Sequence, residues 1–272
     1  MNINGQFARC HTMKIEILKK SLRLMAGFSV GGMLLIGCAR LPLHPSPRGV
    51  VTQVSTYEAL SHGLYQGAMP LRDLKHYGDF GLGTLEGWNG EVVLLDGQYY
   101  LVPGDGRVAP IKDLNATTPF MELTFFDPDI RKTLPAGTSY QQLRQDPTNF
   151  LPTVNFIYAV RIEGRFAFVE TRSMPKQSPP YQPMAELVKT QPVFGFTNVV
   201  GTMIGFWSPP FMKGVSLPGW HLHFLTQDRR AGGHVLAFTA QDVEMALGDK
   251  QEFRWLLPKT EAFRRANFGD NP

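Results

Sequence analysis

Between Glu91 and Val102 the chain reads EVVLLDGQYYLV. Two apolar, β-rich arms flank Asp96-Gly97, a pair suited to the type I′ turn because both central positions of that turn need positive φ. A hairpin this well specified commits its part of the chain to antiparallel sheet. Further segments share the character: strands are expected at 121–126 (MELTFF), 154–162 (VNFIYAVRI), 165–172 (RFAFVETR), 194–206, 220–226 and 234–239. Glu163-Gly164 reads as a second tight turn between two of these. Helical spacing is short and weak, at 55–69, around 69–83 with Gly78 near its end, at 183–191 and at 260–268. The 21 prolines and 27 glycines also favour turns and strands over a helix bundle. The fold class expected is mixed α/β and sheet-rich, with two packed, mostly antiparallel or mixed β-sheets and few helices. The chain divides into an export signal over 1–37, a Pro-rich tether over 38–54, a mixed-sheet domain over 55–185 and a C-terminal sheet domain over 186–272.

The N-terminal division rests on charge order. Lys14, Lys19, Lys20 and Arg23 precede a run of 14 residues, LMAGFSVGGMLLIG, which ends at Cys38. That run is too short for the roughly 20 residues of a spanning helix, and the order of basic, apolar and small residues is that of an export signal. Leu35-Ile36-Gly37-Cys38 resembles a bacterial lipobox, which implies cleavage before Cys38 and a lipid on its thiol. Ala39 after the cysteine implies, by the same resemblance, sorting to the outer membrane of a periplasmic lipoprotein. A start at Met13 in place of Met1 would give a leader of more usual length. Five of the 27 basic and one of the 23 acidic residues lie in 1–37, leaving 22 of each. The mature chain is therefore neutral, which removes any electrostatic case for a nucleic-acid partner. The other cysteine, Cys10, lies in the leader, so no disulfide is expected.

Three of seven histidines fall within WHLHFLTQDRRAGGHVLAF, residues 220–238. On a strand, side chains two apart share a face, so His221 and His223 point the same way. Residues 227–233 then turn the chain, with Gly232 and Gly233 supplying backbone freedom, and His234 opens the returning strand opposite the pair. Three converging imidazoles suit a divalent metal, and a three-histidine site leaves a position open for water or substrate. Iron, manganese and nickel also bind imidazole; the ligand type favours zinc. A lone HxH pair arises often by chance, and it is the hairpin return to a third histidine that strengthens the case.

The segment HLHFLTQDRRAGGHVLAF resembles the metal-binding stretch of the α-acetolactate decarboxylase family. So, in the same order along the chain, do GDFGLGTLEGWNGEVVLLDGQYY (78–100), VRIEGRFAFVETRSMPKQSPPY (160–181) and QPVFGFTNVVGTMIGFWSPPFMKGVSLPGWH (191–221). The resemblance runs from about residue 56 to 268. It implies two sheet-rich domains with one zinc ion between them, commonly as a homodimer, and conversion of the small molecule 2-acetolactate to (R)-acetoin and CO₂. Carried over residue by residue, His221, His223 and His234 match the zinc ligands, Glu91 and Arg172 match active-site residues, and Thr84 falls where the family lines its pocket. Family members usually continue past ANFGDNP with a tail bearing another glutamate near the metal. This sequence ends at Pro272, and Glu261 lies too early to correspond, so a more open pocket, lowered activity or a dispensable tail is expected.

The chemistry suits these groups. Acetolactate is a β-keto acid, so the electron pair left on C2 as CO₂ departs can move onto the C3 oxygen. The resulting metal-bound enediolate needs a Lewis acid and no organic cofactor. Arg172 has the planar fork that suits a carboxylate, with Arg161 a second candidate, while Glu91 or a metal-bound water is better placed to return a proton to C2. His62 and His76 read as surface residues. Two other readings compete: a non-catalytic zinc-binding lipoprotein of the same fold, and a zinc-dependent hydrolase.

Overall fold

The computed structural model describes residues 47–268. The expected leader and Cys38 lie outside the described residues. Helices are few and short: α1 (Tyr57–Ser61), α2 (Leu71–Leu74), α3 (Tyr140–Gln145), α4 (Met184–Leu187) and α5 (Glu261–Arg265). The first strands are β1 (Val50–Val54), β2 (Met69–Pro70), β3 (Phe80–Leu85), β4 (Asn89–Leu95) and β5 (Gln98–Val102). Next come β6 (Ala109–Pro110), β7 (Thr117–Thr118), β8 (Phe120–Thr124) and β9 (Ile130–Leu134). The longest follow: β10 (Ile157–Arg172), β11 (Val193–Ser208), β12 (Gly219–Thr226) and β13 (Gly232–Lys250), with β14 (Glu252–Leu256) last. Among the described residues no helix is long and apolar enough to cross a membrane.

Two sheets carry the fold. One has seven strands in the order β14-β1-β8-β3-β4-β5-β6. The other has five, β10-β11-β12-β13-β9, and β10 also pairs with β13, so four of its strands close into a ring. Pairing is antiparallel throughout except between β1 and β14. The sheet-rich expectation holds, and so does the hairpin: β4 and β5 join through Asp96 (φ 51°) and Gly97 (φ 78°).

Three expectations about chain organisation need correction. The tether assigned to 38–54 is too long, because residues 50–54 form the wholly buried strand β1 inside the seven-stranded sheet. Sheet membership changes between β8 and β9 and again at β14, rather than near residue 185. Glu163-Gly164 is no turn but the middle of one 16-residue strand, β10. Gly164 (φ 137°) is needed there because a Cβ would lie 2.2 Å from the Asp242 carbonyl oxygen of β13. The glycine thus marks a close approach of two backbones, which the sequence signals in the same way as a turn.

Alternation along the strands builds two cores back to back. Tyr158, Val160 and Ile162 of β10 point into the ring with Trp220, Leu222, Phe224 and Phe238. Ile157 and Ala159 of the same strand face the other way, packing with Phe80, Leu82, Val93 and Leu95 of the seven-stranded sheet. The far face of that sheet holds a third cluster around Val92, Leu94, Met121 and Leu123. Every polar side chain that points into the layer between the sheets must therefore find a partner there.

Candidate metal centre and active site

The same alternation aims the site. On β12, Trp220, Leu222 and Phe224 fill the ring, so His221, His223 and Leu225 turn to the opposite face, where Leu225 packs against the seven-stranded sheet. His234 of β13 sits directly across from His223 and, on its other side, from Arg172 of β10. The turn between β12 and β13 is made by residues 227–230, with Arg229 at φ 58°, and not by the two glycines. Gly232 and Gly233 already belong to β13, and a Cβ on Gly233 (φ 141°) would meet the Arg172 carbonyl oxygen at 2.5 Å. That close approach seats His234 beside Arg172.

The seven-stranded sheet answers with carboxylates. Val93 and Leu95 face the histidine side of β4, so Glu91 does too; Phe80 and Leu82 set the same face for Thr84 on β3. On β8 the outward pair Met121 and Leu123 leaves Glu122 pointing inward. These side chains meet. The three imidazole centroids are 5.2–5.4 Å apart, and one ring nitrogen from each lies within 4.8 Å of the others. Arg172 Nη1 donates to Glu91 Oε1 at 3.0 Å, and its guanidinium lies 5.7 Å from the Trp88 ring centre. Thr84 Oγ1 donates to the Gly90 carbonyl at 2.7 Å, bracing the backbone just before Glu91.

Hydrogen bonding fixes which nitrogens face inward. His223 Nδ1 lies 3.0 Å from the Val92 carbonyl oxygen, which can only accept, so Nδ1 carries the hydrogen. The lone pair of Nε2 is then left 3.3 Å from Glu91 Oε2, acceptor against acceptor, and this buried Nε2 has no hydrogen-bond partner. Such a contact is favourable only with a positive centre, a proton or a metal ion, between them. Burial holds His223 and His234 far below the usual histidine range, reinforced by the neighbouring charge of His221 for the first and of Arg172 for the second. Both are therefore neutral, the form that binds metals. Burial also pushes the Glu91 carboxyl up to about 7, with Arg172 pulling the other way. Desolvation outweighs the ion pair because the carboxyl is almost wholly removed from solvent.

A cavity of about 110 Å³ opens onto this cluster. At roughly 10–15 Å³ per water on the same measure, it has room for a molecule of a few heavy atoms. Thr84, Glu91, Arg172 and all three histidines line it, with apolar walls from Leu60, Trp88, Phe120, Met184 and Leu217. All six site residues expected from the sequence are thus brought to one place. Arg161 is not among them: it pairs with Asp96 and Glu163 away from the cavity. His62 pairs with Glu58 in an exposed contact. Sequence reasoning does not single out Glu122, Trp88 or Tyr57, the last of which also lines the cavity. Glu122 had a signal, as one acidic residue within the apolar run MELTFF. Trp88 had none, since its left-handed backbone (φ 43°) is set by the turn.

Three converging imidazoles beside a buried carboxylate–guanidinium pair, in the layer between the two sheets, form a cluster that could hold a metal ion and act on a small molecule. Comparison with known proteins narrows the reading. The family profile for alpha-acetolactate decarboxylase matches residues 51–270. The alpha-acetolactate decarboxylase of Methanosarcina mazei is 42% identical over 222 residues, 82% of this chain and 77% of that protein. The Bacillus subtilis protein of the same name is 38% identical, over 83% of this chain and 88% of that one. The crystal structure of alpha-acetolactate decarboxylase from Bacillus subtilis strain 168 superposes with a TM-score of 0.78, covering 82% of this chain and 94% of that one. This chain belongs to the alpha-acetolactate decarboxylase family.

The Arg172–Glu91 pair should be structurally costly to break. Arg172→Met is expected to lower the stability of the metal-free protein by roughly 1–3 kcal/mol, because a buried acceptor loses its partner. Adding Glu91→Gln should recover part of that loss in urea unfolding. A single-variant effect as small as that of breaking the exposed Arg265–Glu261 pair would contradict the assignment.

Proposed function

We propose that this protein decarboxylates 2-acetolactate to (R)-acetoin and CO₂, using a zinc ion held by His221, His223 and His234. The observation that carries the reading is the convergence of three imidazoles, two buried and one half-buried, on one cavity with Glu91 and Arg172, with His223 and His234 held neutral. The donor set fits the ion: neutral nitrogen ligands, a histidine oriented from behind by a backbone carbonyl, and a buried Nε2 without a hydrogen-bond partner. When bound, the metal supplies Lewis-acid stabilisation of the electron pair released as the bond from C2 to the carboxylate breaks.

The remaining work falls to the chain itself. Arg172 spends one N–H on Glu91 and keeps others for the substrate carboxylate, which it orients before departure. The Glu91 carboxyl, raised to about 7 by burial, can hold a proton near neutrality and deliver it to C2 once CO₂ has left. Trp88 supports the guanidinium from its ring face, and Leu60, Phe120, Met184 and Leu217 exclude water from the reacting carbon. Thr84 has already committed its hydrogen to Gly90, so its part is to hold the segment that presents Glu91.

Purified protein should release acetoin and CO₂ from racemic acetolactate, lose that activity to a chelator and regain it with zinc. His223→Ala should lower metal affinity by more than the roughly 10–100-fold typical of an outer partner, and abolish turnover. Full activity after complete removal of metal would refute the reading, whereas bound zinc without turnover would favour a non-catalytic relative.

We also propose that the protein is exported and anchored by a lipid on Cys38. Support comes from the order of basic residues, apolar run and Leu35-Ile36-Gly37-Cys38. Labelled lipid precursor should enter the protein in cells and fail to enter Cys38→Ser. Unlabelled wild-type protein recovered from the cytoplasm would overturn the localisation.

A further inference from the structure

Glu122 of β8 and Gln53 of β1 are both buried polar side chains of the seven-stranded sheet, and the first reaches the histidine cluster. The Glu122 side chain is 1% exposed, and its Oε1 accepts a 2.5 Å hydrogen bond from Ser216 Oγ. Ser216 Oγ in turn lies 3.1 Å from Ser208 Oγ, at the end of β11. The other oxygen, Oε2, has no hydrogen-bond partner. Neither has His221 Nδ1, also buried, and the two face each other at 3.5 Å. A buried acceptor left unpaired costs about 1–3 kcal/mol, and here an unpaired donor position lies directly opposite it.

We infer that Glu122 is a positioning residue, which accepts the Nδ1 hydrogen of His221 and so turns the Nε2 lone pair toward the cavity. This rests on the metal reading above for its functional consequence, though not for its geometry. Val92 does the same for His223 through a backbone carbonyl, so two adjacent ligands on β12 are oriented from behind by different acceptors of the opposite sheet. The carboxylate is the stronger of the two, since a charged acceptor both fixes the ring and raises the basicity of its far nitrogen. Ser216, itself next to Ser208, holds the carboxylate through Oε1, the oxygen that does not face His221. Glu122 touches neither the cavity wall nor any reacting atom; its action passes through His221.

The test uses the purified protein and two readouts. Nitrogen-15 spectra of the metal-free protein, at about pH 8 and so above the ordinary histidine range, should show His221 as the Nδ1–H tautomer. In Glu122→Leu that preference should be lost. Zinc affinity, measured by chelator competition, should fall roughly 10–100-fold in Glu122→Leu, less in Glu122→Gln, whose amide oxygen still accepts, and a few-fold in Ser216→Ala. If Glu122→Leu does not fold, the wild-type tautomer, Glu122→Gln and Ser216→Ala still decide the matter. An Nε2–H tautomer in the wild type, or unchanged zinc affinity in the folded leucine variant, would overturn the inference. Wild-type protein that binds no zinc would sink the metal reading instead, while the tautomer measurement would still judge the role of Glu122.

Discussion

Removing an imidazole from water disfavours its charged form, and this protein does so to His223 and His234 within one layer between two sheets. Burial leaves His223 and His234 neutral, and it raises the Glu91 carboxyl toward neutrality even beside Arg172. Without compensation the arrangement would be a liability, with the His223 Nε2 lone pair facing a Glu91 oxygen at 3.3 Å. A divalent cation held by His221, His223 and His234 would turn the same geometry into an asset, since its charge would satisfy the free His223 Nε2 and oppose the desolvation of the carboxylate. The polar interior is therefore intelligible as a unit, and poorly so as separate residues.

The architecture that permits this is the two-residue period of the strand. Single strands serve both a hydrophobic core and the site, by alternate residues: Leu222 and Phe224 fill the ring while His221 and His223 leave it. On the opposing sheet, Val92 and Leu94 pack outward while Glu91 looks inward. A one-residue slip in β12 would bury leucine and phenylalanine in the cleft and drive the imidazoles into the ring. Long, fully paired strands, with β10 bonded to both β11 and β13, resist such a slip.

Much of this could be read from the sequence because it depends on local period. The HxH spacing put two imidazoles on one face, and the return of the chain set His234 across from His223, as the register bears out. Asp96-Gly97 announced its turn. The failures came where local signals have two meanings. Gly164, Gly232 and Gly233 resemble turn residues, yet each sits within a strand at a place where another backbone crowds its α-carbon. Val50 to Val54 follows a proline-rich stretch and so reads as tether, although its burial comes from strand partners 67 to 202 residues away. Glu122 stands out only as an acidic residue in an apolar run; its role is not legible there, since its partners Ser216 and His221 lie 94 and 99 residues downstream and no local pattern links them.

The central claim is that three imidazole nitrogens share one ion. X-ray absorption at the zinc edge of the metal-loaded protein measures this most directly. The account predicts three imidazole nitrogens at about 2.0–2.1 Å with an oxygen ligand completing the shell. A shell with fewer than three imidazoles, or one built mainly from carboxylate oxygens, would contradict it.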